Sequence, residues 1–95
     1  MLMETIEGKT VQASLDFDKV CAYEHDHPDW SIIDEMRALD GCVRFTALDL
    51  LASFVYDGGW KAWRRDGFTI EDLAKVLVDG LEELGFTSQD GQSAD

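Results

Sequence analysis

Proline occurs once in this chain, at Pro28, and cysteine twice, at Cys21 and Cys42. A single proline excludes collagen-like and polyproline architectures and any stiff proline-rich linker. Cysteines that stand singly, without the short paired spacings of metal ribbons or redox motifs, exclude a disulfide scaffold and fit reduced thiols in an intracellular protein. Basic residues are scarce: eight face twenty acidic ones, for a formal net charge of -12 and a pI near 4.2. Such a field repels phosphate backbones and anionic lipid, so neither nucleic acid nor a membrane surface is an expected partner. No apolar run approaches the roughly 20 residues that span a bilayer. The opening Met1-Leu2-Met3-Glu4 has neither the basic region nor the apolar stretch of a secretion signal, so the chain is expected to be cytoplasmic.

The residues that chemistry needs are equally thin. Cys21 and His25 stand four apart, and His27 and Cys42 would complete a four-ligand zinc set, but the usual finger spacings are missing. Two surface histidines and a core cysteine are the simpler reading, with no metal bound. No serine sits in a nucleophile elbow, and the carboxylates fall on outward helix faces and cap positions, where solvation and helix-dipole complementarity explain them. Ser14-Leu15-Asp16 loosely resembles the modified serine of an acyl carrier protein, but here that serine ends a strand where a carrier needs a helix before it. Gly58-Gly59 and Gly67 lack phosphate-loop spacing. No catalytic residue, cofactor or metal is expected.

What is present is globular: 45% apolar and 29% charged residues in 95 positions, enough for one domain with its own core. Thr10 to Leu15 alternates, with Val11, Ala13 and Leu15 on one side, and Glu7-Gly8-Lys9 supplies a turn back to a strand over 2–6, so the chain opens with a β-hairpin. Asp16 is placed as an N-cap with Leu15 and Val20 as its hydrophobic staple. The helix after it presents Phe17, Val20 and Cys21 and stops by His27-Pro28. A second helix from 29–31 carries Ile32, Ile33, Met36 and Leu39 and is closed by Gly41.

A third helix from near Val43 is apolar around most of its circumference and belongs at the centre. Its narrow polar stripe is Thr46, Asp49, Ser53 and Asp57, reaching Trp60 and Arg64 if Gly58-Gly59 does not break the helix. The fourth helix has the clearest start, a capping-box pattern from Thr69 to Asp72 with Phe68 and Leu73 as staple. Ile70, Leu73, Ala74, Leu77, Leu81 and Leu84 give its apolar face, Gly85 its left-handed cap, and Phe86 a contact folding back on Leu81. These elements predict a mainly α member of the α+β class, a hairpin packed on about four helices over 1–86, with a polar, disordered tail over 87–95.

The most unusual stretch is Trp60-Lys61-Ala62-Trp63-Arg64-Arg65, which holds two of three tryptophans and three of eight basic residues. Aromatic area beside cationic heads is the mix enriched where proteins dock on proteins. Tyr56, Trp60, Lys61, Trp63, Arg64 and Arg65 are therefore the candidate protein-binding residues. The competing structural reading packs the tryptophans in the core with arginine stems lying over them.

The layout resembles the small tail assembly chaperones of long-tailed bacteriophages and gene transfer agents. The likeness runs from about Ile6 to Phe86, through the hairpin Ile6-Glu7-Gly8-Lys9-Thr10-Val11 and the aromatic, acidic helix Asp16-Phe17-Asp18-Lys19-Val20-Cys21-Ala22-Tyr23-Glu24. It continues through the apolar helix over 48–56 and the start Phe68-Thr69-Ile70-Glu71-Asp72-Leu73. The resemblance implies a non-enzymatic protein of the bacterial host cytoplasm that keeps the tape measure protein soluble and recruits tail tube subunits. It also implies that a longer frameshifted product can exist. The tryptophan-rich hexapeptide matches no motif of that family. A different class of function, an acidic mimic of nucleic acid that blocks a basic groove, is suggested by the charge, but Lys61, Arg64 and Arg65 interrupt the carboxylates and no phosphate-like rows are present.

Overall fold

A computed structural model describes residues 1–39, 41 and 44–85 of the chain. Strands β1 (Leu2–Glu4) and β2 (Thr10–Gln12) are followed by helices α1 (Phe17–Asp26), α2 (Ile32–Ala38), α3 (Phe45–Ser53), α4 (Gly59–Arg65) and α5 (Ile70–Glu83). The α+β, mainly α architecture expected from the sequence is the one observed, with five helices among the described residues. None of them is long and apolar enough to cross a membrane. The proposed helix start at Val43, the residue Cys42, the Phe86 contact and the tail over 87–95 lie outside the described residues.

The hairpin pairs Leu2 with Gln12, Met3 with Val11 and Glu4 with Thr10. Thr5 fixes its turn: its N–H donates to the Lys9 carbonyl at 2.7 Å and its hydroxyl accepts from the Lys9 N–H at 3.1 Å. The period-2 pattern holds beyond the strand, since Ala13 is buried and Val11 and Leu15 are half-buried, while Thr10, Gln12 and Ser14 face water. The Ser14 and Asp16 N–H groups then donate to the carbonyls of Val55 and Phe54, tying the hairpin's exit to the α3–α4 connection. At the hairpin's turn, the Ile6 N–H donates to the Asp66 carbonyl at 2.8 Å.

Helix α3 does not run unbroken into the hexapeptide. Its last regular residue is Ser53, whose hydroxyl donates back to the Leu50 carbonyl at 2.6 Å, a local bond that competes with helix continuation. Phe54 and Val55 then tighten to three-residue spacing, donating to Leu51 and Ala52. Gly58 and Gly59 take positive φ of 94° and 70°, where a helix cannot pass. Opening the helix here frees the Phe54 and Val55 carbonyls to receive Asp16 and Ser14. Asp49, expected to lie on a solvent stripe, turns its carboxylate onto the Trp60 N–H at 3.0 Å and caps α4 across the break.

Three other expectations are corrected. Cys21 is exposed, because α1 turns Val20, Tyr23 and Glu24 inward: Tyr23 meets Trp30 and Phe54 edge-on, and the Glu24 carboxylate accepts from the Ile32 N–H at 3.0 Å at the start of α2. Phe45, counted in the central apolar helix, is 83% exposed, since only Ala47, Leu48, Leu51 and Ala52 of α3 are buried. On α5 the capping box from Thr69 to Asp72 forms in full, and Gly85 adopts φ of 88° after the helix. Its buried face is Leu73, Val76, Leu77 and Gly80, rotated slightly from the expected one, with Leu84 left exposed. Gly80 admits Leu15: a Cβ there would lie 2.5 Å from the Leu15 Cβ.

Candidate functional site

The hexapeptide forms most of α4, and the fold divides its side chains. Trp63 has no exposed surface and is the largest fully buried side chain described. Its ring meets Tyr56 at 5.3 Å and Phe68 at 4.8 Å between centroids, and its Nε1–H donates to the Thr69 carbonyl at 2.8 Å. An indole so placed, with its only donor satisfied, is a core side chain. Its expected role in docking is therefore corrected: no partner can reach it without opening the core.

Arg64 and Arg65 are exposed but occupied. The Arg64 Nη1–H donates to the Phe68 carbonyl at 2.7 Å, so Trp63 and Arg64 together hold the connection that leads into α5. Arg65 lies 3.3 Å from the Asp66 carboxylate, whose other oxygen accepts from the Tyr56 hydroxyl at 2.5 Å. Burial, the hydrogen bond to Asp66 and that residue's negative charge push the Tyr56 phenol up to about 12, against a smaller opposing pull from Arg65. The hydrogen bond from Tyr56, joined by that from Arg65, holds Asp66 below the usual carboxylate range. The Tyr56, Asp66 and Arg65 cluster stands where the hairpin turn meets α4, since the backbone of Asp66 also receives Ile6.

Trp60 and Lys61 remain from the original set. Trp60 is half-buried against the core and Lys61 is exposed. Asp49, the residue that caps Trp60, also lines an open groove of about 350 Å³ together with Tyr23, Trp30, Arg44 and Leu50. Tyr23 and Trp30 stand at 4.7 Å edge to face, and the Trp30 Nε1–H donates to the Glu35 carboxylate at 2.8 Å. The groove is a half-open aromatic surface with charges of both signs at its margin, and sequence reasoning missed it. Its elements are distant in the chain, and the one available signal was Tyr23 and Trp30 flanking Pro28, where a reversal brings two aromatic rings together.

Cys21 and His25 point into solvent, and among the described residues no three His, Cys, Asp or Glu side chains converge as a metal site. Compared with protein-family models, with curated proteins and with solved structures, the chain matches none.

Proposed function

We propose that this chain is a non-enzymatic tail assembly chaperone of the long-tailed phage type, which keeps a tape measure protein soluble and engages tail tube subunits in the host cytoplasm. The observation that carries the reading is the order of elements from Ile6 to Phe86: a hairpin, an aromatic and acidic helix, a central apolar helix and a capped last helix. The half-open groove of Tyr23, Trp30 and Leu50, bordered through Asp49 by the start of α4, offers apolar area to a client segment. Exposed Lys61 and Arg44 would contact the client's acids. A net charge of -12 keeps a holder with such a surface from adhering to itself.

Co-expression with a tape measure protein encoded beside a gene of this type tests the reading. The expected result is a client that moves to the soluble fraction and co-purifies with the chain, and less of it with Trp30→Ala or Lys61→Glu. Client solubility that is the same with and without the chain overturns it.

A further inference from the structure

Five of the eight glycines follow an aspartate: Gly41, Gly58, Gly67, Gly80 and Gly91. Glycine in that position leaves its backbone nitrogen open to the preceding carboxyl, because no Cβ crowds the approach. In an unfolded chain such pairs are chemically alike. The fold sets apart the three whose two residues are both described.

Asp66 and Gly67 are engaged on both sides of the bond: the carboxylate accepts from the Tyr56 hydroxyl at 2.5 Å and lies 3.3 Å from Arg65, and the Gly67 N–H donates to the Arg64 carbonyl at 3.1 Å. Gly80 is buried inside α5, where its N–H belongs to the helix ladder and Leu15 fills the space beside its Cα. Asp57 and Gly58 are both exposed, in the connection between α3 and α4. Their neighbours are fixed, since the Tyr56 N–H donates to the Ala52 carbonyl at 2.8 Å and the Gly59 N–H to the Tyr56 carbonyl at 3.3 Å. Among the described residues no carbonyl accepts from the Gly58 N–H, and the Asp49 carboxylate is turned to Trp60.

We propose that Asp57-Gly58 is a self-modification site at which the folded chain converts aspartate to isoaspartate. The Gly58 nitrogen bonds to the Asp57 Cγ; the carboxyl, protonated by solvent, loses its hydroxyl with the nitrogen's proton as water, and a succinimide ring closes. Water then re-enters at either ring carbonyl. Opening at Cγ restores aspartate, and opening at the main-chain carbonyl leaves the chain running through the side chain with the α-carboxylate free. One water leaves and one returns, so mass and oxidation state are unchanged and no co-reactant is needed. The product carries an added methylene in the backbone of a junction that both helices use: the Phe54 and Val55 carbonyls before it receive Asp16 and Ser14, and the Trp60 N–H after it is held by Asp49 at 3.0 Å. Isomerisation therefore loosens the cap of α4. The inference stands whether or not the client of the groove near Trp30 is a tape measure protein.

The test holds the full-length chain folded at neutral pH, and in parallel in urea, before digestion with trypsin. The three sites fall in separate peptides, 45–61, 66–75 and 76–95, and electron-transfer fragmentation of each locates the isoaspartyl bond. In the folded chain the isomer at position 57 is expected to accumulate at least about tenfold faster than at 66 or 79, which must first open, while in urea the three rates agree within about twofold. Asp57→Glu lengthens an exposed side chain and enlarges the ring that would have to close, so the isomer in peptide 45–61 is expected to vanish while the fold is kept. Hydrogen exchange at the Trp60 amide is expected to be at least about fivefold faster in the isomerised chain than in the parent. Equal accumulation at the three sites of the folded chain, or a ranking that urea leaves unchanged, overturns the proposal. So does isomer in peptide 45–61 that survives Asp57→Glu, and Trp60 exchange that isomerisation leaves unchanged overturns the effect on α4.

Discussion

Replacing Trp63 by alanine removes the largest fully buried side chain and leaves the Thr69 carbonyl without its donor. Large-to-small changes of this kind cost about 3–5 kcal/mol. In a small domain of about 5–15 kcal/mol total stability that is a large fraction, and urea unfolding of Trp63→Ala is expected to show a midpoint far below that of Trp63→Phe. Tyr56 gives a second reading at this scale. Its phenol is raised to about 12 in the folded state, so as pH climbs past about 10 the unfolded chain releases its proton first. The contribution of Tyr56 is complete below that pH and is lost by the time the folded phenol titrates. A spectrophotometric titration is expected to place the native phenol near 12, and Asp66→Asn to lower it part of the way, because burial remains the largest cause. Asp66 behaves oppositely: its carboxylate is held low, so its contribution is present above about pH 4 and fades as pH falls through the lower folded value.

Among the elements, α4 depends on its neighbour across a broken helix. Asp49→Ala removes the acceptor at the Trp60 N–H and is expected to cost about 1 kcal/mol, as loss of an N-cap does. Gly59→Ala places a Cβ 2.6 Å from the same carboxylate at a φ of 70°, and is expected to cost more than about 1 kcal/mol by thermal unfolding. Gly80→Ala isolates packing from propensity. In an open helix alanine gains roughly 1 kcal/mol over glycine. Here the new Cβ meets Leu15 at 2.5 Å, so the sign is expected to reverse, with a loss of about 1–3 kcal/mol.

Local signals in the sequence were sufficient for the elements with local causes. Strand alternation at Val11, Ala13 and Leu15, the cap at Asp16, the capping box of Thr69 and Asp72 and the glycine at 85 each depend on residues within a few positions. What stayed hidden depends on distant contacts. Cys21 and Tyr23 are near-equal choices for an inward face until Trp30 and Phe54 are in place to select Tyr23. Asp49 fits a solvent stripe until α4 begins at a break that sequence marked only as two glycines. The hexapeptide was visible as unusual, but its division between interior and surface follows from how Phe68 and Thr69 return beneath it.

At the scale of the whole molecule the chain is an acidic helical body with a hairpin sealed to it on one side and half-open aromatic area on another. The docking surface we propose is what the interior leaves over: Trp60 and Lys61 from α4, and the groove of Tyr23 and Trp30 from α1 and the loop that follows. That division of α4 into a buried strut and an open flank is tested most directly by iodide quenching of fluorescence in two single-tryptophan proteins. One, Trp30→Phe with Trp60→Phe, keeps only Trp63; the other, Trp30→Phe with Trp63→Phe, keeps only Trp60. The expected result is a Trp63 emission that iodide barely reduces beside a Trp60 emission that it reduces clearly. A Trp63 emission quenched as strongly as that of Trp60 would contradict the structure and return the whole hexapeptide to the surface.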